Sequence, residues 1–168
     1  MNHTEFAGKL ETYKNTVYRI AYGYLKNKED AEDVTQEAFL KLYRAGVTFP
    51  APENEKAWLI RITINLCKNV LRANKFRRLL PLEENTAPPV LLETDLETLD
   101  LLGTLKPAYR TVMYLFYYER HTTKEIARLL GRNENTIRTW LSRSREQLKE
   151  ILAEEPETKG GMIYGQQI

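Results

Sequence analysis

One cysteine, Cys67, and two histidines, His3 and His121, are all that 168 residues contain of either type. A lone thiol cannot close an internal disulfide, and without ligand-spaced partners it cannot build a zinc site. The shortage of histidine removes most metal-centred and triad chemistry. No P-loop and no metal-spaced carboxylate cluster near the basic helices takes its place. Long apolar runs are missing as well: no stretch approaches the ~20 residues of a membrane span, and the opening MNHTEFAGKL has no apolar signal core. The expectation is a cytoplasmic protein with no direct membrane insertion, no cofactor and no enzymatic activity. No run alternates polar and apolar with a period of two, so no sheet is expected and the fold reads as all-α.

Bulk charge is equally uninformative, with 25 basic against 23 acidic residues and a net charge of +2. The distribution is not. Glu29–Glu37 holds five acids and no base, Lys56–Arg78 seven bases and no acid, and Leu79–Leu105 six acids and no base. In Arg132–Lys149 five bases face two acids. Two basic blocks separated by an acidic one suit two sites on a polyanion, joined by a strap that avoids it.

Periodicity places these blocks on helices. Val17, Ile20, Ala21, Tyr24 and Leu25 give Tyr13–Leu25 one apolar stripe, and Ala31, Val34, Ala38 and Leu42, flanked by Phe39 and Tyr43, give another to Glu29–Arg44. Pro50 and Pro52 break the chain before a third helix, Glu55–Arg78, whose stripe is Trp58, Ile62, Leu66 and Val70, widened by Ile60, Ile64, Cys67 and Leu71. Pro81, Pro88 and Pro89 mark an acidic flexible linker. Leu96, Leu99 and Leu102 then mark a helix that ends near Gly103, and Pro107 suits a helix start before Ala108–Tyr118, with Val112, Leu115 and Phe116 inward. The expected organisation is two small helical domains, residues 1–78 and 94–153, joined by a linker at 79–93. A tail at 154–168, rich in charge and glycine, is expected to be disordered.

The most specific local signal lies between Thr122 and Arg145. Thr122 and Glu125 form a capping-box pattern, Gly131 allows the sharp exit from one helix into the next, and Asn133 can cap a helix over Glu134–Ile151. Ala127 is small where two helices would cross, with Ile126, Leu130, Ile137 and Leu141 as their apolar contacts. These are the marks of a helix-turn-helix. Its second helix would present Asn135, Thr136, Arg138, Thr139, Ser142, Arg143 and Arg145 to a major groove. Arg138 and Arg143 can fork onto guanine edges or phosphates, Thr139 and Ser142 can bond base edges or backbone, and Arg145 suits phosphate.

Three runs in this order resemble the extracytoplasmic-function (ECF) sigma factors of bacterial RNA polymerase. They are Tyr18–Leu25 with Ala31–Tyr43, then Trp58–Arg72, then Thr123–Ala127 with Asn135–Thr139, Arg143 and Arg145. The resemblance covers roughly residues 10–152. It implies a factor that binds core polymerase and directs it to specific promoters, in a stress or envelope response. The face of Asp33, Gln36 and Glu37, with Phe39 and Leu42, would dock on the coiled coil of the polymerase's largest subunit. The loop from Thr48 to Glu55 and the helix carrying Lys56, Arg61, Asn65, Lys68, Asn69 and Arg72 would take the proximal promoter element, capturing a base from the melted non-template strand. Trp58 could stack on that base, although its place in the apolar stripe favours the core.

The helix-turn-helix would read the distal element as duplex, the acidic strap would thread toward the catalytic cleft, and an anti-sigma factor is the implied inhibitor. The family often has aspartate where Asn69 stands and arginine where Trp140 stands. The competing reading is a stand-alone helix-turn-helix regulator that binds DNA as a dimer with recognition helices ~34 Å apart. That alternative leaves the acidic face of Glu29–Glu37 unexplained. A nuclease has no support in the residues.

Overall fold

The computed structural model describes residues 1–77 and 102–154, and every regular element in those residues is helical. The proposed linker at 79–93, the start of the helix expected from Leu96 and Leu99, and the tail from 155 lie outside the described residues. The order is α1 (His3–Leu25), α2 (Lys28–Ala45), α3 (Pro52–Arg77), a 3-10 turn (Leu102–Thr104), α4 (Pro107–Met113), a π-helical turn (Tyr114–Tyr118), α5 (Thr123–Leu130) and α6 (Glu134–Glu154).

α1 starts at His3, ten residues before the expected helix start at Tyr13. The Asn2 side chain accepts the Glu5 backbone N–H at 2.8 Å, a local cap that starts a helix without needing a core behind it. Asn27 caps α2 in the same way, through Asp30 N–H at 3.0 Å. Gly46, at φ +57°, ends α2 in the left-handed region that glycine enters at little cost. The expected continuous helix through Tyr118 changes pitch instead. Glu119 N–H reaches back to Tyr114 O at 3.1 Å, five residues earlier, and His121 N–H reaches Leu115 O at 2.9 Å.

α1, α2 and α3 pack on one another, with Val17, Ala38, Phe39, Leu42 and Leu59 forming one apolar cluster. A second and larger cluster runs from Ile20, Ala21 and Tyr24 through Ile60, Ile64 and Cys67 to Val112, Leu115, Ile126, Ile137 and Leu141. The N-terminal and C-terminal parts thus share a continuous core, a closer association than two domains held only by a strap. On α3 the deepest residues are Leu59, Ile60, Thr63, Ile64 and Cys67, while Trp58, Ile62, Leu66 and Val70 are only half-buried. The expected principal stripe is therefore the flank. α3 is held from two sides, by α1 and α2 and by α5, so the buried face centres between the two contacts. Burial pushes the Cys67 thiol up to about 12, which keeps it a neutral core residue.

Two polar clusters join the halves. Arg110 is buried, and its guanidinium donates to the carbonyls of Gly23, of Tyr24 at 2.8 Å, of Leu105 at 2.7 Å and of Gly103 at 3.2 Å. It thereby satisfies two of the carbonyls that the C-terminal end of α1 leaves open. Burial lowers the affinity of Arg110 for its proton, and the nearby Tyr24 hydroxyl opposes that. The Glu119 carboxylate accepts from Lys56 on α3, from the Tyr114 hydroxyl at 2.9 Å and from Thr16 on α1 at 3.1 Å.

Candidate nucleic-acid interface

The helix-turn-helix forms as its residues dictate. Thr122 N–H donates to Glu125 Oε2 at 2.7 Å while Glu125 N–H donates to Thr122 Oγ1 at 3.2 Å, completing a capping box. The Thr122 N–H and the Thr122 hydroxyl, which donates to the same Oε2 at 2.9 Å, hold the Glu125 carboxyl below its ordinary value. Gly131 sits at φ +61°, and Asn133 Oδ1 accepts Asn135 N–H at 2.8 Å at the start of α6. Ile126, Ala127, Ile137 and Leu141 are buried between α5 and α6, and Leu130 is half-buried. Leu129, which the sequence reading passed over, is buried with them.

Asn135, Arg138, Thr139, Ser142 and Arg143 are exposed on α6, and Thr136 is half-buried. Arg138 is held by its own helix, with its guanidinium 2.8 Å from Glu134 Oε1, which also accepts from Thr123 Oγ1 at 2.7 Å. Those two hydrogen bonds hold the Glu134 carboxyl low. Arg145 departs from the group. It is half-buried, donates to the Tyr117 hydroxyl at 2.7 Å and lies over the rings of Tyr117 and Phe116 at 5.6 and 5.8 Å. Trp140 is half-buried, with the Tyr109 ring at 5.9 Å and the Arg132 guanidinium over its own face. Trp140 thus packs α6 onto α4.

On α3, Arg61, Asn65, Asn69 and Arg72 are exposed and Lys68 is half-buried. Their spacing of four, three, one and three residues puts all five on one side of the helix, opposite the buried Leu59 and Thr63. Lys56 does not belong to that row. It lies on another side of α3, where it is engaged by Glu119. Burial alone would push the Glu119 carboxyl up, but the bonds from Lys56, Tyr114 and Thr16 outweigh it and hold the group below its ordinary value.

On α2, Asp33 and Gln36 are exposed and Glu37 is half-buried beside Lys41, at 3.5 Å. Phe39 and Leu42 are 3% and 1% exposed, so they cannot present themselves to a partner as the sequence reading expected. Both pack under α2 against α1 and α3, because a short amphipathic helix has only one apolar stripe and the core takes it. The exposed apolar residues are Leu40 and Tyr43. Leu40 follows Asp33, Gln36 and Glu37 at helical spacing and shares their face, which makes it the residue that apolar-stripe counting overlooked.

Between the end of α2 and the start of α3 lies a cavity of about 290 Å³, lined by Glu5 and Lys9 of α1, by Thr48 and Phe49 of the connecting loop, and by Pro52 and Glu55 of α3. Phe49 leans on Trp58, ring centroids 5.9 Å apart. Trp58 is part of the packing behind the loop. Among the described residues no group of three or more His, Cys, Asp or Glu is placed to hold a metal ion, and no helix is long and apolar enough to cross a membrane.

A small helical bundle whose last two helices form a helix-turn-helix, and whose third helix carries a row of exposed cations, describes a class of DNA-directed factor. Comparison with known proteins gives it a family. Residues 10–77 match Sigma-70 region 2 and residues 95–148 match Sigma-70, region 4. The RNA polymerase sigma factor SigV of Bacillus subtilis strain 168 is 31% identical over 87% of this chain and 90% of its own length. The ECF RNA polymerase sigma factor SigW of the same organism is 30% identical over 88% of each. Among solved structures, the sigma factor RpoE of Bartonella quintana, crystallised with the anti-sigma factor NepR, superposes with a TM-score of 0.67 at 21% identity, over 90% of this chain and 99% of that one.

The chain belongs to the ECF sigma factors of RNA polymerase, proteins that direct core polymerase to promoters and are initiation factors rather than catalysts. The stand-alone dimeric regulator is thereby set aside.

Proposed function

We propose that three faces of this chain divide the work of promoter-directed initiation. Asp33, Gln36, Glu37 and Leu40 on α2 dock on core polymerase. What supports this is their common exposed face, acidic with an apolar centre, which complements a basic protein groove in charge and register. Arg61, Asn65, Lys68, Asn69 and Arg72 on α3 follow the backbone of the proximal promoter element as it melts, and the segment Thr48–Glu55, the end of the α2–α3 loop with the first turn of α3, receives an unpaired base of the non-template strand. Asn135, Thr136, Arg138, Thr139, Ser142 and Arg143 on α6 read the distal element as duplex, and Arg145 braces the helix against Tyr117.

The observation that carries the reading is the row on α3. Five polar or cationic side chains lie along one exposed side of a helix whose opposite side is core, with no acid between Ala57 and Lys75. On this reading residues 1–78 and 94–153 are the working domains. The acidic 79–93 strap, outside the described residues, runs toward the polymerase cleft. The chain acts in the cytoplasm, where the polymerase is, in a stress or envelope response. An anti-sigma factor is its proposed inhibitor, supported by the complex in which its structural relative was crystallised.

Run-off transcription with purified core polymerase on a genomic library tests the whole. Discrete start sites are expected only when the chain is present. Occupation of palindromic duplexes by a dimer of the chain, without polymerase, would sink it.

A further inference from the structure

Phe76 is the most exposed large apolar side chain among the described residues, at 77%, and it stands in the last turn of α3. Four residues past Arg72, it continues the row of Arg61, Asn65, Lys68, Asn69 and Arg72 along the same side of the helix. Arg72 and Lys75, both exposed, flank the ring. A partner that covers it must therefore be anionic and still offer apolar surface.

The ring's direction is set from behind. Asn74, two residues earlier and so on the opposite side of the turn, donates to Asp30 Oδ2 of α2 at 3.2 Å. Val70 and Leu71 pack on the core in the turn before. The end of α3 is thus tied to the start of α2, and Phe76 projects away from the body.

The length of α3 gives the ring a place on the DNA. About 32 Å of helix separates Glu55 from Phe76 at ~1.5 Å per residue, roughly nine base steps of ~3.4 Å. Between them the row offers cations and amides but no ring, so successive unpaired bases would find nothing to stack on. Away from its first turn, α3 therefore suits paired DNA. In a duplex the base faces are closed within the stack, and the apolar group left open in the major groove is the thymine methyl. That groove, ~12 Å wide, admits an α-helix.

Resting on the proposal that the α3 row follows the proximal element, we infer that Phe76 reads a pyrimidine 5-methyl group in the duplex beside that element. Arg72 and Lys75 hold the phosphates on either side, and the ring supplies the base-specific contact between them. The contact needs no hydrogen bond, so it distinguishes bases by one methyl alone.

The test uses holoenzyme assembled from the full chain and core polymerase, with promoter fragments that it selects from a random library. On both strands of the duplex flanking the proximal element, each thymine is replaced in turn by uracil and each cytosine by 5-methylcytosine. Footprint titration measures affinity. At one position the methylated form should bind about fourfold more tightly, as one buried methyl group does. Phe76→Ala should bring the two forms there to within about 1.5-fold, and Phe76→Leu should keep part of the difference. Methyl effects at other positions should survive in both variants. Arg72→Ala should instead weaken every template alike.

Phe76 is exposed, so both of its variants should melt at the parent's temperature. Absence of a methyl effect at every position overturns the assignment, and so does one that survives Phe76→Ala. An equal loss on methylated and unmethylated templates would make the ring a wedge between base pairs. Unchanged promoter binding by Phe76→Ala would assign it to a protein surface. Either result also overturns the methyl contact. A parent footprint that leaves the proximal element unprotected, or an Arg72→Ala variant that binds as the parent does, would overturn the role of the row itself, a separately visible result.

Discussion

The Lys56 ammonium donates to the Glu119 carboxylate, joining the second turn of α3 to the segment that leads into the helix-turn-helix. The contact places a member of the basic block in the seam between the two halves of the chain. With Thr16 and Tyr114 on the same carboxylate, one acid ties three separate segments together.

That arrangement has a pH signature. Glu119 holds its proton less tightly when folded than an ordinary glutamate carboxyl, near 4.5, so it stabilises the fold above that value and loses this contribution as pH falls through its lower folded value. Glu119→Gln should therefore lower stability at neutral pH by about 1–3 kcal/mol and flatten the acid limb below pH 4.5. Urea melts between pH 3 and 7 (~0.5-unit steps, enough to resolve one titration) check it. A parent and variant with parallel acid limbs would contradict the assignment.

Arg110 should be less replaceable than its type suggests. Arg110→Met removes the donors to Gly23, Tyr24, Gly103 and Leu105 and leaves carbonyls buried without partners, at an expected cost of about 3 kcal/mol. Arg110→Lys should recover only a small part, because one ammonium cannot reproduce the spread of a planar fork. Chemical denaturation of the two variants compares them directly, and full recovery by lysine would show that charge alone matters there.

Reversing Asp33 and Glu37 to lysine should abolish co-purification with core polymerase while leaving the helical circular dichroism and melting temperature nearly unchanged, since Asp33 is exposed and the half-buried Glu37 faces Lys41 of its own helix. Leu40→Ala should weaken the association without changing the fold. Phe39→Ala should instead unfold or loosen the bundle, costing about 3–5 kcal/mol as a buried aromatic does. Unchanged association in the double charge reversal would remove α2 from the docking surface.

Arg138→Ala should cost on the order of 1–3 kcal/mol at one base position of the distal element. A footprint titration on point-substituted promoters measures it. An equal loss on every sequence would make Arg138 a phosphate contact. Glu134→Gln is expected to strengthen binding slightly by freeing the Arg138 fork from its intrahelical partner.

Helix existence was legible because the chain repeats its apolar residues at helical spacing, and the helix-turn-helix was the most legible part of all. Its capping box, Gly131 and Asn133 act through bonds between near neighbours, and every one of them forms as the residues dictate. The cationic row of α3 was legible for a similar reason: one side of a helix packed on both flanks is left for polar residues. Phe39 and Leu42 were misplaced because an apolar residue on an acidic helix looks the same whether it faces a partner or its own core. Only the positions of α1 and α3 decide that. Glu55, Lys9 and Phe49 were not legible as a group, because they come from three elements and meet only when α1 lies along the α2–α3 loop.

By itself, then, the order of residues determined which segments are helical, where two of them turn, and which stretches carry positive charge, all consequences of interactions within a few residues. The tertiary structure decided which apolar side chains are hidden, that Lys56 and Arg110 serve the seam between the halves, and that a small cavity opens beside Phe49. These depend on contacts between residues far apart in the chain, whose geometry exists only once the helices have packed.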